Sequence, residues 1–275
     1  MKKRLSPLSG AFMGLVYVFL YAPIVVMIIF SFNSAKSTTN FEGFSFKWYE
    51  ELFRKPEVIQ ALFNTLILAL ASAAIATVLG TLAAVGINMI RNKRISSGFM
   101  VVTNIPMMNA DIVTGISLML LFIFIGNLFG LNESLGFITV LAAHITFNLP
   151  YVILSVMPKL RQTDANLVDA AMDLGCTPFK AFFKVILPSI STGIATGAIM
   201  AFTLSLDDFV ISYFTCGKYQ TLPIVIYNMT KKSVTPDTYA LSTIIFFVVF
   251  ALLIFYNMLQ SKSEKQAAVR KVGAK

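Results

Sequence analysis

Charged side chains are scarce in this chain, and their scarcity excludes an ordinary soluble domain. Only 13% of the residues are Asp, Glu, Lys or Arg, whereas a soluble domain carries about 25%. Hydrophobic residues make up 57%, and the mean hydropathy is +0.77. The chain has one His and two Cys, and it contains no phosphate-binding glycine loop, nucleophile elbow or metal-ligand spacing. The sequence therefore predicts an all-α membrane protein with no catalytic residues, metal or cofactor of its own.

Runs without charge indicate where the chain crosses the bilayer. Four such runs each exceed the roughly 20 residues that a spanning helix needs; they cover residues 5–35, 58–90, 134–158 and 238–261. Two more are interrupted only by Asp111 and by the pair Asp207 and Asp208. We therefore predict a single transmembrane domain, residues 1–275, with six spanning helices near residues 11–32, 63–87, 101–126, 137–158, 190–213 and 240–260.

The distribution of Lys and Arg predicts the orientation of these helices. Basic residues concentrate in the cytoplasmic loops of membrane proteins. With the N-terminus inside, fifteen Lys and Arg residues fall on the cytoplasmic side and seven fall outside. Both termini are therefore predicted to be cytoplasmic, in a multi-pass protein of the cytoplasmic (inner) membrane. The net charge of +9 follows from this bias and from contact with anionic membrane lipid, so a nucleic-acid partner is not needed to explain it.

The most regular polar pattern lies in the cytoplasmic segment 159–189. Apolar residues recur at helical spacing from Asp164 to Leu174. Gly175 follows them, at a position where helices often end in the left-handed conformation. A second short helix is expected from Phe179 to Leu187, with Pro188 ending it. The residues alone leave two interpretations open, an amphipathic helix pair among lipid headgroups or a docking element for a cytoplasmic protein.

This segment resembles the signature of ABC-importer membrane subunits. In that signature Glu-Ala-Ala is followed after three residues by Gly, and after nine more by Ile-x-Leu-Pro. Asp169 stands here in the Glu place and Val185 in the Ile place, and both replacements keep the chemistry. The other matching positions are Ala170, Ala171, Gly175, Leu187 and Pro188. The resemblance implies a type I ABC-importer permease fold, in which this segment docks on a partner ATPase that holds ATP and Mg.

Three acidic residues inside the predicted spans are not explained by composition. A carboxylate at mid-bilayer costs roughly 2.5–3.5 kcal/mol on insertion scales. Asp111 is expected near the middle of the third span, and Asp207 and Asp208 in the outer half of the fifth. Neighbours on a helix point in different directions, so one acid can line a pathway while the other pairs with a basic residue or a backbone donor. The acids either fix helix packing or present negative charge to a cationic substrate.

A wider resemblance favours the cationic substrate. From about residue 17 to 255 the chain resembles the permease subunits of spermidine/putrescine importers, most specifically at Lys47-Trp48-Tyr49 and at Ser205-x-Asp207-Asp208. The resemblance implies polyamine import by a heterodimer with a second permease subunit, above two ATPase subunits. It also implies an extracytoplasmic polyamine-binding protein that delivers the substrate.

Two rival functions stay open at this point. One is a permease of the same architecture for another small solute. The other is a stand-alone secondary transporter in which Asp207, Asp208 and His144 carry protons, although His144 is expected to be a hydrogen-bonded packing residue. Gly193 and Gly197 form a G-x-x-x-G pattern that allows close helix approach, either within the chain or between subunits.

Overall fold

The computed structural model describes residues 7–36, 40–130, 134–164, 166–232, 235–251 and 253–254. Extended pairing among these residues is limited to an isolated antiparallel bridge between Asn33 and Phe44, which confirms the all-α prediction. The helices are α1 Pro7–Ser31, α2 Lys47–Phe53, α3 Pro56–Met89, α4 Lys93–Met108, α5 Asp111–Leu128, α6 Phe137–Gln162, α7 Asn166–Asp173, α8 Pro178–Ser189, α9 Ser191–Asp207, α10 Val210–Thr215, α11 Leu222–Lys232 and α12 Pro236–Ala251.

Several of these helices are long and apolar enough to cross a bilayer. Among the described residues, α1 from Gly10 onward, α3, α5 and α6 each meet this condition, and α8 with α9 forms a fifth candidate that is bent by 70°. The helix α12 is apolar but shorter, and the end of the predicted span 240–260 lies outside the described residues. The count of six spans and the cytoplasmic termini stay predictions.

The third predicted span is broken, so the prediction of one continuous helix over residues 101–126 is wrong. The helix α4 ends at Met108, and Asn109 and Ala110 are extended, with ψ of 150° and 134°. The side chain of Asn109 donates to Thr114 Oγ1 at 3.3 Å, a local bond that competes with helix continuation. Asp111 therefore opens α5 instead of lying about ten residues inside a helix.

The fifth predicted span is also broken, so a single helix over residues 190–213 is wrong as well. The helix α9 ends at Asp207, and the backbone of Asp208 is extended, with φ of −63° and ψ of 120°. The Asp208 carboxylate accepts hydrogen bonds from the backbone N–H of Ile211 at 3.3 Å and of Ser212 at 2.8 Å. It therefore caps the start of α10, as Asp commonly does at a helix N-terminus.

The described residues fall into two compact units, and the smaller lies within Met1–Gln60 and Val225–Leu252. Its centre is Trp48, which is 4% exposed and donates through its indole N–H to the Asn33 carbonyl oxygen at 2.5 Å. Lys55 Nζ lies 2.6 Å from Asp237 Oδ2, and this ion pair joins the start of α3 to the start of α12. The Lys47-Trp48-Tyr49 motif is thus bonded to the end of α1 and the turn after it, through Ser31 and Asn33.

The larger unit lies within Ala61–Ile224 and Leu253–Lys275. Its described core is formed where α3, α6 and α9 meet, with Val152 and Val156 of α6 fully buried. At Gly80 of α3, a Cβ atom would lie 2.7 Å from Val152 Cβ. The missing side chain therefore lets α3 lie directly against α6.

This contact gives a stability test. We expect Gly80→Ala to lower the free energy of unfolding by about 1–3 kcal/mol, because the added methyl group overpacks the core against Val152. Gly86→Ala is the matched control, because Gly86 lies on the same helix and a Cβ atom there would have no neighbouring atom within 4 Å. Replacing glycine in an open helical position stabilises it by about 0.5–1 kcal/mol. Thermal unfolding of the detergent-purified protein measures both, and equal midpoints would contradict the contact.

Candidate functional site

The first half of the predicted docking segment is α7 and the glycine turn that closes it. Gly175 has a φ of +84°, as predicted. Its N–H donates to the Met172 carbonyl oxygen at 2.9 Å, and the N–H of Cys176 donates to that of Ala171 at 3.0 Å. These two bonds form a Schellman motif. Since only glycine adopts this backbone without strain, the glycine of the signature has a local structural reason.

The second half is α8, whose start is capped by the Thr177 side chain, which accepts from the Lys180 N–H at 3.4 Å. Residues Phe182–Ile186 form a π turn. Phe182 and Ile186 pack on the core of the larger unit, while Phe179 and Phe183 are 73% and 49% exposed. The expectation that Pro188 ends the helix is wrong by one residue. The helix continues to Ser189, and the 70° bend follows it.

The signature residues divide into an exposed set and a packed set. Ala171 is buried and Leu187 half-buried, so both belong to the packing of the segment; the exposed set is Asp169, Ala170, Gly175 and Pro188. Of these signature residues, a partner in contact with the segment would therefore meet Asp169 and small residues, beside the two exposed Phe rings of α8. Docking itself stays a prediction.

The two helices that enter and leave the docking segment are held together by glycines. A Cβ atom at Gly193 of α9 would lie 2.9 Å from the Ser155 carbonyl oxygen of α6, and one at Gly197 would lie 3.2 Å from Val152 Cα. The G-x-x-x-G pattern therefore acts within this chain, which answers a question that the sequence left open. The docking segment therefore begins and ends on two helices that are in direct contact.

The same helix pair holds Asp208 at the break of the fifth span. His144 Nε2 of α6 lies 3.3 Å from Asp208 Oδ2 and 2.9 Å from Ser212 Oγ. The side chains of His144 and Asp208 are only 2% and 9% exposed. Asp208 therefore has both the basic partner and the backbone donors that were considered for one of the two acids. His144 is a buried, hydrogen-bonded residue, as expected.

The other two acids differ from Asp208 in their surroundings. Asp207 is the last residue of α9, and its side chain is exposed in this chain. Asp111 is also exposed, in the first turn of α5, and lies within electrostatic range of Tyr151 on α6. The carboxylates of Asp207 and Asp111 are thus exposed on this chain, whereas that of Asp208 holds a helix break.

A further polar group was not anticipated from the sequence. Asn148 of α6 is fully buried, and its Nδ2 donates to Ser205 Oγ of α9 at 2.7 Å. Ser205 Oγ in turn lies 2.8 Å from Ser72 Oγ of α3. The available signal was the i, i+4 spacing of His144 and Asn148, which puts both on one face of α6. Among the described residues, no three His, Cys, Asp or Glu side chains cluster closely enough to hold a metal ion.

Comparison with known proteins identifies the family of this chain. The family described as "Binding-protein-dependent transport system inner membrane component" matches residues 76–265. The putrescine transport system permease protein PotI of Escherichia coli (strain K12) is 38% identical over 95% of this chain and 93% of its own. The spermidine/putrescine permease protein PotC of the same strain is 38% identical over 94% and 96%. PotC of Haemophilus influenzae is 37% identical over 93% and 97%.

Solved structures show the same fold. A bacterial ABC transporter that imports the acidic polysaccharide alginate aligns with a TM-score of 0.71 at 17% identity, over 92% of this chain and 94% of its own. The alginate transporter solved with its pentasaccharide-bound periplasmic protein aligns with a TM-score of 0.72 at 15% identity, over 92% and 93%. A stand-alone secondary transporter is therefore set aside: the chain belongs to the family of inner membrane components of binding-protein-dependent transport systems, as a permease subunit of the ABC-importer type.

Proposed function

We propose that this permease subunit carries polyamines such as putrescine and spermidine into the cell across the inner membrane. The observation that carries the proposal is 38% identity, over more than nine tenths of the chain, to permeases named for these substrates. The chemistry of the helix breaks supports it. Asp207 and Asp111 are exposed carboxylates without an ion pair among the described residues, and such groups attract cationic solutes and disfavour anions.

The proposed assembly is based on the similarity to permeases of binding-protein-dependent transport systems. A second permease subunit completes a heterodimer, two ABC ATPase subunits bind ATP and Mg on the cytoplasmic side, and an extracytoplasmic binding protein delivers the polyamine. This chain transmits the movement of the ATPase subunits to the membrane helices and lines part of the pathway. It does not hydrolyse ATP itself. When the ATPase subunits close, they displace α7 and α8, and the α6–α9 pair moves with them because of the contacts at Gly193 and Gly197.

A permease for another small solute is the second candidate, because transporters of the same fold import alginate and, in another solved case, belong to an amino acid system. Uptake by vesicles that contain the full complex separates the two candidates. We expect saturable, ATP-dependent uptake of labelled putrescine or spermidine, and none of sulfate or a neutral amino acid. Uptake of either control solute without polyamine uptake would overturn the proposal.

The docking role is tested at the glycine turn. We expect Gly175→Val to reduce polyamine uptake by at least about tenfold while ATP hydrolysis continues, because the left-handed backbone strains a β-branched residue by about 1–2 kcal/mol and reshapes the docking surface. Uptake and hydrolysis are measured on the same vesicles.

Gly130→Val is the matched control for this change. Gly130 also has a positive φ, of 68°, with no atom within 4 Å of a Cβ, but it follows α5 and not the docking segment. The same backbone strain there should leave coupling intact. Equal loss of uptake in the two variants would show that strain alone, and not docking, is responsible.

Substitution of the two neighbouring acids should affect different properties of the protein, uptake for Asp207 and stability for Asp208. Asp207→Asn is expected to lower polyamine uptake and to change the free energy of unfolding by no more than about 0.5 kcal/mol, as for an exposed side chain. Asp208→Asn should destabilise the protein by about 1–3 kcal/mol, because a charged cap and the partner of His144 are weakened. Thermal unfolding and uptake of both variants check this. Full polyamine uptake by the Asp207→Asn variant would contradict a role of Asp207 in the transport pathway.

A further inference from the structure

The hydrogen bonds around Asn148 leave one of its polar atoms without a partner. Asn148 Nδ2 donates to Ser205 Oγ at 2.7 Å, and Ser205 Oγ lies 2.8 Å from Ser72 Oγ, where either hydroxyl can be the donor. The amide oxygen of Asn148 is the atom that takes no part in these bonds.

This orphan acceptor is deeply buried. Asn148 is 0% exposed, and its Oδ1 has no hydrogen-bond partner. Buried polar atoms in native proteins nearly always have a partner, because an unsatisfied acceptor costs free energy. The unpaired amide oxygen of Asn148 can therefore accept from a donor that arrives from elsewhere.

Asn148 lies between the levels of the acidic residues on α6. His144, the partner of Asp208, is four residues earlier, about 6 Å along the axis at the rise of an α-helix. Tyr151, within range of Asp111, is three residues later, about 4.5 Å further along. Ser205, which holds the Asn148 amide, is two residues before Asp207. The orphan oxygen thus lies between the level of His144 and Asp208 and the level of Tyr151.

The chemistry of the free atom selects the ligand. The amide nitrogen is engaged, so the side chain can only accept, and a solute must bring an N–H or O–H donor. An alkylammonium group has up to three N–H donors and a positive charge that suits the neighbouring carboxylates, and hydrogen bonds to charged groups are the stronger ones. A sulfate or carboxylate oxygen would face the amide oxygen without a proton to share.

We propose that Asn148 is a specificity-determining residue of the transport pathway, whose amide oxygen accepts a hydrogen bond from a substrate ammonium group passing between Asp207 and Asp111. This inference rests on the proposed polyamine function. The amide is covered by α9 through Ser205, so it meets the substrate when the end of α9 that carries Ser205 moves away from α6, while the contacts at Gly193 and Gly197 hold the other end.

The test replaces the amide with an apolar side chain of similar size. In vesicles with the full complex, Asn148→Leu should raise the KM for putrescine by at least about tenfold, the usual effect of losing one charge-assisted hydrogen bond. The melting temperature should not fall, because the substitution removes the unpaired amide oxygen together with the amide N–H group that bonds Ser205. An unchanged KM would overturn the inference, and a lower melting temperature with unchanged KM would mark the amide as a structural group that holds water.

The matched control is Thr139→Val on the same helix. Thr139 Oγ1 donates to the Thr215 carbonyl oxygen at 2.8 Å, about 13 Å from Asn148 along α6 at the rise of an α-helix. Its loss should lower the melting temperature and leave the KM unchanged. A wild-type complex that imports no polyamine would refute the proposed function itself, whereas polyamine uptake with an unchanged KM in Asn148→Leu refutes only the role of this residue.

Discussion

The close approach of α6 and α9 is the constraint on which the rest of the larger unit depends. Gly193 and Gly197 remove the side chains that would hold the two backbones apart, and the Ser155 carbonyl oxygen and Val152 occupy the space. The contact brings the buried polar groups of α6 within hydrogen-bond distance of α9 and α10. It also brings the two ends of the docking segment together, so one helix pair holds both this segment and the buried polar groups.

Both breaks in the spanning helices occur beside acidic residues, and the breaks give those residues different tasks. A carboxylate within a continuous helix would have had only side-chain partners, whereas a broken helix offers free backbone N–H groups. The Asp208 carboxylate accepts hydrogen bonds from two such N–H groups and also contacts His144. Asp207, one residue earlier, is left at a helix C-terminus, where the backbone dipole favours a cation. Adjacent identical residues thus become a structural group and a candidate ligand.

Much of this arrangement was readable from the sequence, for physical reasons that also explain what was not. Gly175 and the helices on either side of it follow local rules, since capping and left-handed turns depend on a few neighbouring residues. The breaks at Asn109 and Asp208 were missed because hydropathy averages over a window and does not register a change of two residues. The role of Asn148 depends on its bond to Ser205 and on the neighbouring Ser72, residues 57 and 76 positions away in sequence, which no local pattern contains.

The π turn in α8 has a consequence for how this segment tolerates change. A π turn holds one residue more than an α-helical turn, and each residue of a helix accounts for about 100° of rotation. The extra residue in Phe182–Ile186 therefore sets the angular phase between the exposed Phe179 and Phe183 rings and the helix that follows. Loss or gain of a single residue here would rotate the exposed Phe rings relative to α9 while barely altering the length of the segment. The segment is constrained in rotation far more than in reach.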